Sequence, residues 1–239
     1  MSRQDGTAVL LIHGILGTPN HFKPLLPLIP DSWSVCNLLL KGHGGSVKDF
    51  SHASMTQWKQ QVSDSLDGLL AENNRVIIVA HSMGTLFAIQ EAIETPAAGL
   101  FLLNVPLKVR ITARFFKNVG CILRESADPE DPWSAAALCA CSIQRDPRLY
   151  RYLGWIPRYL ELFAQMRKTR RLVGQLKTPS RIFVSALDEM ASPRSGDFFR
   201  GNPWVTLKTL PHSGHFYYSP EDLSVLTEAF QSMLQKVSL

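Results

Sequence analysis

Short apolar runs alternate along the chain with segments in which apolar residues recur at helical spacing. The runs cover residues 7–12, 34–39, 75–80, 99–103, 180–185 and 205–210, and most are rich in Val, Ile or Leu. Such runs are typical of strands that are buried on both faces of a parallel sheet. The pattern therefore predicts six strands.

The segments between these runs carry the helical pattern. Residues 55–70 place Met55, Trp58, Val62 and Leu66 on one side of a helix, and helical spacing also occurs at residues 85–93 and 222–237. Parallel strands need crossover connections, and the crossover helices cover the faces of the sheet. We therefore predict an α/β fold with a doubly wound, mostly parallel sheet.

One long stretch interrupts this alternation. Residues 105–177 contain aromatic residues, prolines and helical spacing, but no strand pattern. Because structureless loops of this length are uncommon in compact domains, we predict a helical cap insertion at 105–177 and a core domain made of 1–104 and 178–239. The aromatic residues of the predicted cap fit either a pocket wall or the cap's own core; they are Phe115, Phe116, Trp133, Tyr150, Tyr152, Trp155, Tyr159 and Phe163.

The composition fits one folded domain, with 45% hydrophobic residues in a chain of 239. The apolar run before His13 is too short for a signal peptide, and no run reaches the roughly 18 to 20 apolar residues of a transmembrane helix. We therefore predict a cytoplasmic protein with no integral membrane segment. The four cysteines lack the spacing of a zinc or redox site, which predicts reduced thiols and no metal. The sequence does not indicate the oligomeric state.

The positive charge is concentrated in the predicted cap. The formal net charge is +5, yet residues 107–181 alone hold 15 Lys or Arg and 6 Asp or Glu. No nucleic-acid-binding motif accompanies these bases, so nucleic acid is not a predicted partner. A solvated surface is the favoured interpretation, while peripheral contact with a membrane or a preference for an acidic substrate stays open.

The candidate nucleophile is Ser82, which stands between the predicted strand 75–80 and the helical pattern that follows. Ala80 and Gly84 flank it at two residues on either side. This is the pattern of a nucleophile elbow, a turn so sharp that these neighbours must be small. The turn also places Ser82 at a helix N-terminus, where the N–H group of Met83 would be one oxyanion donor.

A second candidate element, HGILG, follows the first predicted strand at residues 13–17. In doubly wound sheets the ligand site lies at the carboxyl ends of the strands, so this loop would lie beside the elbow. The glycines on either side of Ile15 would let its N–H group act as the second oxyanion donor. For His13 we favour a structural hydrogen-bonding role over that of a base.

A serine nucleophile needs a base and an acid. His215 follows the last predicted strand, between a glycine and an aromatic residue, and is preferred over His212 as the general base. Asp188 follows the strand 180–185 and would orient the imidazole, with Glu189 as the alternative acid. The order Ser82, Asp188, His215 is the chain order of α/β-hydrolases.

These motifs resemble the α/β-hydrolase superfamily, and within it the compact bacterial-type carboxylesterases and monoacylglycerol lipases, together with serine-aminopeptidase-like hydrolases. The matching pieces are HGILGTP, KGHGGS, AHSMG, SALDEM and SGHF, in the expected order. The resemblance implies a six-stranded sheet that lacks the superfamily's first two strands. Ala80 replaces the usual first glycine of the elbow, and Lys41 replaces a proline.

The resemblance further implies a serine esterase without a cofactor. Its substrate would be a small ester with a short- to medium-chain acyl group, or a monoacylglycerol, cleaved through an acyl-enzyme on Ser82. A thioesterase, a C–C bond hydrolase or a peptidase for small substrates would use the same triad. A non-catalytic binding protein is the remaining alternative, although such a protein would usually have lost a triad member.

Overall fold

A computed structural model describes residues 4–238. They contain one six-stranded sheet in which all neighbouring strands are parallel. The strand order is β2-β1-β3-β4-β5-β6. The strands are β1 (Gln4–Ile12), β2 (Ser34–Leu38), β3 (Asn73–His81), β4 (Gly99–Leu103), β5 (Ser180–Ser185) and β6 (Val205–Leu210). The predicted doubly wound α/β fold is confirmed, and each predicted strand is present.

Seven α-helices lie within the described residues: α1 (Val47–His52), α2 (Met55–Glu72), α3 (Met83–Glu94), α4 (Ala113–Arg124), α5 (Pro132–Ala140), α6 (Ile156–Leu172) and α7 (Pro220–Ser238). Short 3-10 helices occur at Pro19–Phe22, Leu26–Leu28, Leu149–Trp155, Val173–Gln175 and Pro193–Phe199. The sequence pattern did not predict α1, which begins at a capping box between Ser46 and Asp49.

The central strands β1, β3 and β4 are largely buried on both faces, whereas most residues of the edge strand β6 are exposed. Alternate residues of each strand point to opposite sides of the sheet. Leu10 and Ile12 of β1 belong to the apolar cluster on one face, which α2, α3 and part of α6 complete. Val9 and Leu11 belong to the cluster on the other face, which α7 completes through Phe230. The crossover helices therefore cover both faces, as the strand–helix alternation predicts.

The chain between β4 and β5 is helical. We call residues 105–177 the β4–β5 segment. Its helices are α4, α5, α6 and two of the 3-10 helices. A buried hydrogen bond of 2.9 Å joins Gln90 of α3 to Thr169 of α6 and ties this segment to the sheet domain. Every helix within residues 4–238 is too short or too polar to cross a bilayer.

Candidate active site

Ser82 lies in the turn between β3 and α3, in a conformation that serine rarely adopts. Its φ is 51° and its ψ is −124°, and its N–H group donates to the carbonyl of Leu103 on β4 at 2.9 Å. A non-glycine residue with positive φ is sterically costly and persists only where its surroundings hold it. A Cβ on Gly84 would lie 2.4 Å from the carbonyl oxygen of Ile12, so the turn requires glycine there.

The structure brings the three predicted side chains together at the carboxyl end of the sheet. Nε2 of His215 lies 2.9 Å from Oγ of Ser82, and Nδ1 of His215 lies 2.8 Å from Oδ2 of Asp188. The other oxygen of Asp188 accepts from the N–H groups of Met190 and Ala191 at 2.8 and 2.7 Å. All three predicted side chains are buried. The carboxylate is therefore fixed, and it holds the imidazole with Nε2 facing the serine.

The electrostatic environment of His215 favours its charged form. Burial alone would lower the pKa of His215, but the charge and hydrogen bond of Asp188, and then the charge of Glu189, raise that pKa above the ordinary histidine value. An imidazolium that forms during a reaction would be stabilised at this position.

The loop at residues 13–17 packs directly against the serine. A Cβ on Gly14 would lie 2.9 Å from Cβ of Ser82, so only glycine allows this approach. Leu16 has a φ of 58°, and its N–H group donates to Nε2 of His43 at 3.1 Å. The Leu16 N–H group is thus already engaged, whereas the oxyanion roles of Ile15 and Met83 stay predictions.

The remaining histidines near the site have structural contacts. Nε2 of His13 accepts the N–H group of Leu40 at 3.1 Å, in keeping with a structural role for this histidine. Nε2 of His81 lies 2.9 Å from the carbonyl oxygen of His215, to which its N–H donates. His212, the competing base, is exposed on the surface.

The sequence did not reveal the contacts of Glu189. This buried carboxylate accepts the N–H group of His215 at 2.9 Å and the side-chain amide of Asn118 on α4 at 2.9 Å. Arg110 contacts the loop that carries Asp188, because its guanidinium donates to the carbonyl of Asp188 at 2.7 Å. Asn118 and Arg110 both belong to the β4–β5 segment, so this segment braces the loop that carries Asp188.

A cavity of about 510 Å³ lies under the β4–β5 segment and reaches the HGILG loop through Ile15 and Leu16. Its wall is mainly apolar, with Glu189 and Asn118 among its few polar side chains. Five of the eight aromatic residues of the predicted cap line it: Phe115, Phe116, Tyr152, Trp155 and Tyr159. Trp133 instead packs on Tyr217, and both Tyr150 and Phe163 are exposed.

A family model described as the alpha/beta hydrolase family matches residues 9–224. The chain therefore belongs to the alpha/beta hydrolase family. It is 24% identical over 206 residues to a thermostable monoacylglycerol lipase from Bacillus sp. (strain H-257). The alignment covers 81% of this chain and 75% of that relative.

Two solved structures with the same fold superpose over nearly the whole chain. One, described among "two metagenome-derived lipolytic enzymes", has a TM-score of 0.73 at 18% identity. The superposition covers 96% of this chain and 94% of that enzyme's chain. The monoacylglycerol lipase of Paleococcus ferrophilus has a TM-score of 0.65 at 19% identity and covers 96% of both chains. At these identities the likeness shows the shared fold.

Proposed function

We propose that this chain is a serine hydrolase that cleaves carboxylic esters through an acyl-enzyme on Ser82. The observation that carries the proposal is the continuous hydrogen-bonded chain from Ser82 through His215 to Asp188, with atom separations of 2.9 and 2.8 Å. Family membership adds weight, because the chain order of these residues matches that of α/β-hydrolases.

The mechanism uses each group in turn. Oγ of Ser82 attacks the ester carbonyl carbon while Nε2 of His215 takes the hydroxyl proton. The N–H groups of Ile15 and Met83 hold the negative oxygen of the tetrahedral intermediate. The imidazolium then protonates the leaving alcohol, and the acyl-enzyme remains. A water molecule, deprotonated by His215, attacks the acyl carbon, releases the acid and restores Ser82. No step requires a cofactor.

The cavity indicates the substrate class. Its volume of about 510 Å³ and its apolar wall suit an acyl chain. Ile15, which lines the cavity, directly follows Gly14, the residue that packs against Ser82. We propose short- to medium-chain acyl esters or monoacylglycerols as substrates, in keeping with the names of the monoacylglycerol lipase relatives.

We further propose that residues 105–177 act as a cap on a core made of 1–104 and 178–239. Two observations support this division: the β4–β5 segment supplies most of the cavity wall, and no β-strand element of the described chain falls within it. A cytoplasmic location is part of the proposal, and the four unpaired cysteines are in keeping with a reducing compartment.

The test is hydrolysis of p-nitrophenyl esters from acetate to palmitate by the native protein and by Ser82→Ala. We expect native turnover and a loss of roughly 10⁶-fold in kcat for the variant, as for nucleophile removal in other serine hydrolases. Ser180→Ala is the matched control, because Ser180 is also buried but begins β5 at the opposite end of the sheet. If the native protein hydrolyses no ester, the ester proposal is wrong, and thioesters and C–C bond substrates are the next classes to test.

A further inference from the structure

The outer face of the β4–β5 segment carries large apolar side chains where a solvent-exposed helix normally carries polar ones. Three of them, Ile156, Leu160 and Phe163, lie at spacings of four and three residues on one face of the first half of α6. Leu149 and Leu153 precede them in the 3-10 helix Leu149–Trp155. We call them the apolar stripe, with their exposed fractions: Leu149 (68%), Leu153 (64%), Ile156 (52%), Leu160 (63%) and Phe163 (49%). A contiguous exposed apolar patch of this kind marks an interaction surface.

The apolar stripe begins at the mouth of the cavity. Leu149 lines the cavity and is also one of the most exposed apolar residues of the described chain, and Phe116 of α4 shares both properties. An apolar molecule on the stripe at Leu149 is therefore already in contact with the cavity wall.

The second half of the same helical face is basic. Arg167, Lys168 and Arg171 continue the outward positions of α6, and Arg170 lies beside them, all exposed. Within residues 4–238, none of these four side chains has a carboxylate at ion-pair distance, and the acid nearest to them in sequence, Glu161, is paired with Arg158 at 2.6 Å. The cluster therefore presents free positive charge next to the apolar stripe.

We propose that this face docks on an anionic lipid bilayer, with the apolar stripe at headgroup depth and the basic cluster on the lipid phosphates. Apolar residues beside unpaired Lys and Arg on one helix face suit such a surface. A second copy of this chain fits less well, because the matching face offers these bases one acid within residues 149–171, Glu161, which is already paired with Arg158. The inference rests on the proposed function, since it supplies lipid esters to the cavity mouth.

Binding is tested first without catalysis. Ser82→Ala protein is sedimented with vesicles of phosphatidylcholine alone and of phosphatidylcholine mixed with phosphatidylglycerol. We expect preferential binding to the anionic vesicles that weakens with added salt. In the same background, neutralising Arg167, Lys168 and Arg171 to Gln should weaken binding about fivefold per charge. The pair Leu153→Glu and Leu160→Glu should weaken it by more than about tenfold, because charges then replace apolar contact.

The matched control is Trp204→Glu, which changes an exposed large apolar residue at the opposite end of the sheet, before β6. It should bind vesicles like its parent. Docking is overturned if the Ser82→Ala protein binds neither vesicle, or if Trp204→Glu weakens binding as much as the stripe variants. It is also overturned if the protein is a dimer that the stripe variants convert to monomer, since a second copy would then occupy the face. Circular dichroism and thermal unfolding verify that each variant folds.

Activity separates this proposal from the proposed function. With Ser82 intact, the Leu153→Glu and Leu160→Glu pair should hydrolyse soluble p-nitrophenyl butyrate at the native rate, yet lose most activity on monoacylglycerol embedded in anionic vesicles. Equal loss on both substrates contradicts the docking role. Vesicle binding without any ester hydrolysis would remove the proposed enzyme function and leave the lipid contact standing.

Discussion

At the scale of single residues, two adjacent buried carboxylates contact His215 in different ways. Asp188 accepts from the imidazole ring, whereas Glu189 accepts from the backbone N–H group of the same residue. Only the ring contact can fix the tautomer that leaves Nε2 free for Ser82. We therefore propose Asp188, rather than Glu189, as the orienting acid, and a positioning role for Glu189.

We expect Asp188→Asn to reduce kcat by about 10⁴-fold, because the amide no longer stabilises the correct tautomer and the imidazolium. Glu189→Gln should cost far less, since the amide oxygen can still accept the N–H group of His215. Steady-state kinetics on a soluble ester measure both variants. A larger loss for Glu189→Gln than for Asp188→Asn would exchange the two roles.

The pH profile reports on the same pair. The charges of Asp188 and Glu189 raise the pKa of His215, so kcat/KM should fall as the pH drops through a value above that of an ordinary histidine. Removing one negative charge in Glu189→Gln favours the neutral imidazole and should move this inflection to lower pH. Glu91→Gln, a change at a buried glutamate of α3, is the matched control and should leave the inflection in place. An unshifted profile in Glu189→Gln would show that its charge does not act on His215.

The sequence predicted the residues that local motifs mark, and it missed those that only the folded chain brings together. Ser82, Asp188 and His215 each follow a strand, so the common edge of a parallel sheet predicted their meeting. Asn118 has no such marker, because it lies in the middle of a helix and meets Glu189 across 71 positions of sequence. No local pattern predicts a contact of that separation.

At the scale of elements, the turn from β3 to α3 combines strain with close packing. Ser82 has a positive φ, and Gly84 lies under the carbonyl groups of Ile12 and His13. These carbonyls belong to the end of β1 and the start of the HGILG loop. Any added atom at Gly84 would therefore push this loop away from the serine.

We expect Gly84→Ala to lower the free energy of unfolding by about 1–3 kcal/mol, as overpacking does, and to reduce activity. The added Cβ would lie 2.4 Å and 2.7 Å from the two carbonyl oxygens. Gly68→Ala is the control, because Gly68 lies within α2 with no heavy atom near the added Cβ. It should stabilise the chain by about 0.5–1 kcal/mol. Urea unfolding measures both, and equal effects would contradict the packing argument.

The elements themselves were predicted best where one physical pattern dominates. The strands at Gly99–Leu103, Ser180–Ser185 and Val205–Leu210 begin and end where the apolar runs do. The helix α1 was missed because it has six residues, too few for a periodic pattern, and depends on its capping box. The sequence pattern places Phe163 in a pocket wall or in the cap's own core, but this side chain is exposed in the apolar stripe. Helical spacing alone does not distinguish an exposed apolar face from a buried one.

At the scale of the whole molecule, several histidines are buried in their neutral form. Burial lowers the pKa of His13 to about 4 and those of His21 and His43 to about 3. The unfolded chain binds protons at these positions from about pH 6.5 downward, whereas the folded chain does not. Stability is therefore lost as the pH falls from 6.5 toward these lowered values. His215 acts in the opposite direction, since its raised pKa adds stability as the pH falls toward 6.5.

We expect the free energy of unfolding to decrease between about pH 6.5 and pH 4 by roughly 1.4 kcal/mol per pH unit for each buried neutral histidine. Urea unfolding at a series of pH values measures this slope. His21→Phe should remove the contribution of one histidine to this slope. The ring of His21 stacks on His81 at 3.8 Å, and within residues 4–238 its Nε2 has no hydrogen-bond partner. A slope that is unchanged in His21→Phe would contradict the assignment.

Covalent labelling shows whether Ser82 is the nucleophile. The native protein is treated with an alkyl fluorophosphonate, and the modified residue is located by peptide mass spectrometry. We expect one adduct, on Ser82, that is absent from Ser82→Ala and forms much more slowly in His215→Ala. No adduct on the native protein, or an adduct on a different serine, would contradict it.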